Sequence, residues 1–164
     1  MPPILTIMGR TNSGKTTLIE RLIDHFNQSG LKIAIIKHMK HRFDIDHPGK
    51  DSYRYREAGA PMVMITNDDH FALVADNDRM LSPVALAERY LGEADLVIIE
   101  GHKDVRLPKI EVIGDSEEPP LIESGMEGIV AIVSDSYHHP SLPCFNRDDI
   151  EAIAAFIVSE FIVL

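Results

Sequence analysis

The sequence predicts an α/β fold of three layers, with a mostly parallel, mixed central sheet between helices and an edge hairpin, on the strength of three observations. Residues 4–37 pass from strand period to helix period and back. Several later apolar runs show no polar alternation, as expected of strands covered by helices on both faces. A glycine-rich loop stands at the first strand-to-helix junction. With 164 residues, the chain is expected to form one domain, residues 1–164, around a single core.

Ile4-Leu5-Thr6-Ile7-Met8 is rich in β-branched residues and stops at Gly9, which marks a buried strand entering a turn. From residue 16 to 29, Leu18, Ile19, Leu22, Ile23 and Phe26 recur at helical spacing, and Gly30 stands where a helix stop favours a left-handed residue. Residues 32–37 resume a strand, completing a parallel crossover unit. Further strands are predicted at 62–66, 71–74, 96–100, 110–113 and 129–133, and helices near 83–91 and 149–161. Asn67-Asp68-Asp69-His70 joins 62–66 to 71–74 as an antiparallel hairpin at an edge of the sheet. Residues 114–128 form the longest irregular connection. Asn146 and Asp148 are expected to cap the last helix.

Composition narrows the function. A net charge of −10 disfavours general nucleic-acid binding. No apolar run approaches the roughly 20 residues that span a bilayer, so no membrane association is expected. The lone Cys144 forms no internal disulfide, and Met1-Pro2-Pro3 lacks the features of a secretion signal, so the expected location is cytoplasmic. Residues 1–60 carry 10 Lys/Arg against 6 Asp/Glu, whereas residues 61–164 carry 6 against 20. The positive share therefore accompanies the glycine-rich loop, as suits a small polyanionic ligand.

That loop, Gly9-Arg10-Thr11-Asn12-Ser13-Gly14-Lys15-Thr16, is a complete Walker A phosphate-binding loop (P-loop) and makes the expected fold P-loop NTPase-like. Its glycines let backbone N–H groups turn toward phosphates, and the helix that begins within it adds positive potential. Gly9, Asn12, Ser13, Gly14, Lys15, Thr16 and Thr17 are the candidate nucleotide-phosphate residues. Lys15 would bridge phosphates, and Thr16 would ligate Mg²⁺ through its hydroxyl. Leu96-Val97-Ile98-Ile99 delivers Glu100 to the end of a second core strand as the candidate Mg²⁺ carboxylate; the alternative is a solvated loop residue. Asp95, at the opposite end of that strand, is expected to be an entry or capping residue.

The polar segment after the second strand holds Lys37, His38, Lys40, His41, Arg42, Asp44, Asp46, Lys50, Asp51 and Ser52. Its lysines and arginine could grip a second phosphorylated ligand, and Asp44 and Asp46 could contact a magnesium ion or its waters; otherwise it is an exposed mixed-charge loop.

Taken together, residues 9–16, Asp44-Ile45-Asp46-His47-Pro48-Gly49-Lys50-Asp51-Ser52-Tyr53, and Leu96-Val97-Ile98-Ile99-Glu100-Gly101-His102-Lys103 closely resemble the MobB family of molybdopterin-guanine dinucleotide biosynthesis adaptors. The resemblance spans about residues 4–160, and Pro48-Gly49-Lys50-Asp51-Ser52 is its most discriminating part. His102 departs from the phenylalanine usual in that family. The resemblance implies a cytoplasmic, GTP-binding homodimer, a weak GTPase at most, that assists the MobA guanylyltransferase as it joins GMP to molybdopterin. In this light the Lys37 to Ser52 segment would face the pterin ligand or the partner. Homodimer contacts are expected from the edges of the hairpin and of the 110–113 strand. Asp135, at the end of the 129–133 strand, becomes the candidate base-binding residue, since its carboxylate could accept from guanine N1 and N2; read without the resemblance it is a turn residue.

Two other functions fit the same residues. One is a P-loop kinase for a small metabolite, with Asp44 or Asp46 as base and Arg54 or Arg56 as clamp. The other is a metallochaperone GTPase that uses His38 and His41. No catalytic residue is assigned.

Overall fold

The computed structural model describes residues 1–39, 41 and 43–162. It comprises β1 (Ile4–Met8), α1 (Lys15–Gln28), β2 (Ile33–Lys37), α2 (Asp51–Glu57), β3 (Met62–Thr66), β4 (Phe71–Ala75), α3 (Pro83–Tyr90), β5 (Leu96–Glu100), β6 (Lys109–Val112), β7 (Ile129–Val133), β8 (Cys144–Phe145) and α4 (Ile150–Phe161). The chain forms two compact units, one of residues 1–38 and 83–164 and the other of residues 39–82. Among the described residues no helix is long and apolar enough to cross a membrane.

In the first unit, six strands run in the order β2-β5-β1-β6-β7-β8, and every pairing between them is parallel. β1 is buried along its whole length, as its unbroken apolar pattern predicts. One face packs Leu5, Ile7, Ile98, Ile110 and Val133 against Leu18, Leu22 and Phe26 of α1 and Ile153 and Ile157 of α4. The other face packs Ile4, Val97 and Ile99 against Ala87 of α3. Helix, sheet and helix thus form the three layers, and the α/β fold class is confirmed.

The end of α1 shows how local chemistry sets a boundary. Gly30 adopts φ +77°, and its N–H donates to the Asn27 carbonyl while Leu31 N–H donates to Phe26. This is a Schellman stop, with Leu31 packed on the same apolar cluster as Phe26. Asp95 accepts from Lys32 N–H at 2.7 Å and so fixes the entry of β2 beside that of β5.

Several expectations need correction. β3 and β4 pair antiparallel as predicted, but they close as a two-stranded sheet of their own, so the six-stranded sheet is wholly parallel rather than mixed. The short turn accounts for the antiparallel pairing of these two strands with each other, and it does not decide whether the pair joins a larger sheet. β6 has no free edge for a dimer, because β1 and β7 flank it. α2 and β8 lie where the sequence pattern predicts no helix or strand. The cap of α4 is Asp149, whose Oδ1 accepts from Ala152 N–H at 3.2 Å. Asn146 instead accepts from Asp148 N–H, and Asp148 pairs with Arg21 at 2.8 Å.

Two buried polar side chains stiffen the sheet. Lys109, at the start of β6, donates to the carbonyls of Val105 (2.7 Å), Glu127 (3.0 Å) and Leu107 (3.3 Å). Glu111 accepts from the N–H groups of Leu121 and Ile122 at 2.5 and 3.1 Å, anchoring the 114–128 connection. Thr6 Oγ1, in contrast, is buried without a partner among the described residues. Thr6→Val should therefore stabilise the protein by about 1 kcal/mol, since it removes an unsatisfied hydroxyl at nearly constant shape. Ile98→Ala should cost about 2–5 kcal/mol. Denaturant unfolding of both variants checks the pair.

Candidate functional site

The chain leaves β1 at the point where strand order reverses, with β5 on one side and β6 on the other. Open α/β sheets bind their ligands at this position, outside the carboxyl ends of the strands. Gly9 is required here by close approach: a Cβ would collide with the Val112 carbonyl oxygen and stand 2.5 Å from Ser13 Oγ. Asn12 takes a left-handed conformation, φ +59°, which its short amide side chain tolerates. Gly114 backs the loop so closely that a Cβ would lie 2.8 Å from Ser13 Cα. Ser13 is buried, whereas Thr16 and Thr17 are exposed at the start of α1.

Lys15 Nζ donates to the Arg10 carbonyl at 2.6 Å and to Ser13 Oγ at 3.4 Å, so its ammonium lies within the loop. Burial pulls its pKa below the usual lysine value; Glu100 opposes that shift, and Lys103 and Lys37 reinforce it. Thr16 Oγ1 donates to Glu100 Oε1 at 3.3 Å. The two predicted magnesium residues therefore meet, and their hydroxyl and carboxylate oxygens are the hard donors that Mg²⁺ takes. Lys37 Nζ lies 3.6 Å from the other Glu100 oxygen. The register explains this meeting, because Glu100 stands opposite Ile7 of β1 and Lys37 of β2.

Arg10 faces away from this carboxylate. It pairs with Glu118 at 2.8 Å and donates to the Pro119 carbonyl at 3.0 Å, tying the loop to the 114–128 connection. Asp135 is half-exposed beyond β7, where its Oδ1 accepts from Arg147 N–H at 3.1 Å and its Oδ2 lies 3.3 Å from Arg147 Nε. A surface depression of about 560 Å³ lies instead between α1 and the start of α4. Its Arg21 and Asp148 already pair with each other, so the chemistry points to the phosphate loop rather than to this cleft.

The structure divides the predicted second-ligand segment. Lys37 and His38 belong to the first unit, and His38 stacks on His102 with ring centroids 4.2 Å apart. His41, Asp44, Asp46, Lys50, Asp51 and Ser52 belong to the second. There Lys50 precedes α2, Asp51 and Ser52 form its first turn, and Asp51 lies 3.5 Å from Arg54. Asp44 and Asp46 line a cavity of about 230 Å³ with Tyr53, Arg56 and Asp76, in which Arg56 pairs with Asp76 at 2.9 Å. Lys40 and Arg42 lie outside the described residues. Gly114 and Arg10 were missed by sequence reasoning. Gly114 carried a signal, since a glycine directly after an apolar strand also occurs at Gly9 and Gly101.

The family model described as MobB, molybdopterin guanine dinucleotide synthesis protein B, matches residues 4–135. The chain is 31% identical over 162 residues to the molybdopterin-guanine dinucleotide biosynthesis adapter protein of Escherichia coli (strain K12), covering 96% of this chain and 93% of that protein. It is 37% identical over 122 residues to the adapter protein of Haemophilus influenzae, covering 74% of this chain and 68% of that one. A crystal structure of molybdopterin-guanine biosynthesis protein B aligns with a TM-score of 0.78 at 32% identity, covering 95% of this chain and 98% of that chain. Bacillus subtilis MobB aligns with a TM-score of 0.78 at 28% identity, covering 97% and 98%.

The lowered Lys15 pKa gives a pH dependence with a definite sign. Phosphate binding needs the ammonium form, so affinity for Mg²⁺-tripolyphosphate should fall as pH rises through a value below 10.5. Lys15→Arg should flatten that fall, because a guanidinium keeps its charge throughout. Calorimetric titration across the alkaline range measures both.

Proposed function

The chain belongs to the MobB family, and from that premise we propose that it is a GTP-binding adaptor in molybdopterin guanine dinucleotide biosynthesis. The observation that carries the nucleotide part is the 3.3 Å approach of Thr16 Oγ1 to Glu100 Oε1 beside Lys15, inside a complete phosphate loop. Lys15 and the backbone N–H groups of residues 12–17 hold the phosphates. Thr16 and Glu100 hold Mg²⁺, which when bound offsets phosphate charge. Hydrolysis is slow at most, because these groups hold phosphate and metal rather than orient a water molecule.

Asp135 selects the base. An ionised carboxylate has about four lone-pair sites, so the two contacts from Arg147 leave capacity for guanine N1–H and N2–H. Adenine presents neither donor there, and ATP is disfavoured accordingly. The adaptor assists a guanylyltransferase of the MobA type that joins GMP to molybdopterin in the cytoplasm. Lys37 and His38 in the first unit, and separately His41, Asp44, Asp46, Lys50, Asp51 and Ser52 in the second, are candidates for contact with the pterin ligand or that partner. The kinase reading draws less support, because both Arg54 and Arg56 are engaged by carboxylates of their own unit.

Homodimerisation draws its support from the hairpin. β3 and β4 pair only with each other among the described residues, and Met62, Met64, Ile65 and Phe71 are all more than half exposed. Apolar side chains on unpaired strand edges favour pairing with a second copy.

Titration with GTP and ATP in the presence of Mg²⁺ tests the nucleotide assignment. Wild type should prefer GTP, and Asp135→Asn should erase roughly tenfold or more of that preference. Equal affinities for the two nucleotides in wild type would sink the assignment. Thr16→Val should remove the magnesium dependence of binding. In sedimentation equilibrium, Phe71→Asp with Met64→Asp should shift a wild-type dimer to monomer; a persistent dimer would place the contact elsewhere.

A further inference from the structure

Arg147 is gripped from several directions at the phosphate end of the sheet. Its N–H donates to Asp135 Oδ1, and its Nη2 donates to the Ile113 carbonyl at 3.2 Å. Its own carbonyl accepts from Arg21 Nη1 at 3.1 Å. Nε is buried and lies 3.3 Å from Asp135 Oδ2, an ion-pair contact without hydrogen-bond alignment. Nη1 stands 3.7 Å from the point that a Cβ would occupy on Gly14. A Cβ at position 14 would meet the guanidinium at ordinary contact distance, so the glycine answers to the left-handed φ of +90° at this turn, and the guanidinium lies directly beside it.

These contacts restrict what the side chain can offer a ligand. Guanidinium donors lie in the plane of the group, so partners at Nε and Nη2 occupy its edge. Among the described residues Nη1 has no hydrogen-bond partner, and the side chain is still 30% exposed. The plane lies between Gly14, where α1 begins, and Asp135 beyond β7. In the nucleotide assignment proposed above, on which this inference rests, those two points receive the phosphates and the base edge. The nucleoside that joins them must pass Arg147.

We propose that Arg147 is the platform for the purine base, with its guanidinium face stacked on the ring and its orientation fixed by Asp135 and the Ile113 carbonyl. Asp135 then has two tasks: it accepts from the base edge and it holds the stacking plane. Stacking on a guanidinium is indifferent to base identity, since every base has a π face. Arg147 therefore supplies affinity shared by GTP and ATP, and Asp135 supplies the difference between them.

Three ligands separate the roles: GTP, ATP and inorganic tripolyphosphate, each titrated with Mg²⁺ into wild type, Arg147→Ala and Arg147→Lys. Both variants should weaken GTP and ATP by about tenfold, the order of one desolvated cation–π contact, and leave tripolyphosphate unchanged. Lysine keeps the charge but not the plane, so full recovery with Arg147→Lys would overturn stacking. A parallel loss of tripolyphosphate would overturn it too, in favour of a phosphate contact through Nη1. Unchanged nucleotide affinity in Arg147→Ala would remove the residue from the site. If wild type binds GTP no more tightly than tripolyphosphate, the nucleotide assignment itself has failed, and the platform falls with it. Thermal melting confirms that the variants fold; Arg147→Met, which keeps the apolar stem, replaces the alanine variant if that one has no transition.

Discussion

The pairing of β5 with β1 sets the chemistry of the phosphate edge. Parallel strands that start level also end level, so Glu100 arrives opposite Ile7, just before the chain turns into the phosphate loop. Slipping this register by one residue would send the Glu100 side chain to the other face of the sheet. The register is held by burial on both faces, since Leu96, Val97, Ile98 and Ile99 are completely enclosed. The meeting of Thr16 with Glu100 is therefore a property of the core, although both oxygens lie at its margin.

The first half of the site was legible for the same reason. Strong apolar runs and glycines mark β1, α1 and β5, and the loop motif states its own geometry through residue type. Elements whose stability comes from context were not legible. α2 is a seven-residue helix with no buried side chain, and it has no apolar stripe to betray it. β8 contains two residues, and its pairing with β7 depends on a neighbour already in place. The cap of α4 was misread by one residue because Asn146, Asp148 and Asp149 all favour caps, and only the distance to Ala152 chooses among them. The separate hairpin sheet was misplaced because an antiparallel pair looks alike in sequence whether or not it joins a larger sheet.

His102 illustrates a departure from the family pattern that the structure makes intelligible. Its ring lies nearly parallel to that of His38, at an interplanar angle of 9°. An aromatic face is thus kept at this position, next to the Glu100 carbonyl that accepts from His38 N–H. The substitution preserves a flat packing surface and changes its polarity. Arg10 shows a different division of labour within the loop, because its guanidinium is engaged by Glu118 and the Pro119 carbonyl.

Lys109 and Lys15 occupy opposite ends of the parallel sheet and carry the same ammonium group. At the back, three carbonyl oxygens saturate Lys109, much as a coordination shell saturates a potassium ion. At the front, Lys15 has one carbonyl and one long hydroxyl contact, and a proton that burial has loosened. The rear wall is thus closed by hydrogen bonds made wholly within the chain. Lys15 stands at the mouth, where a polyanion could complete its shell.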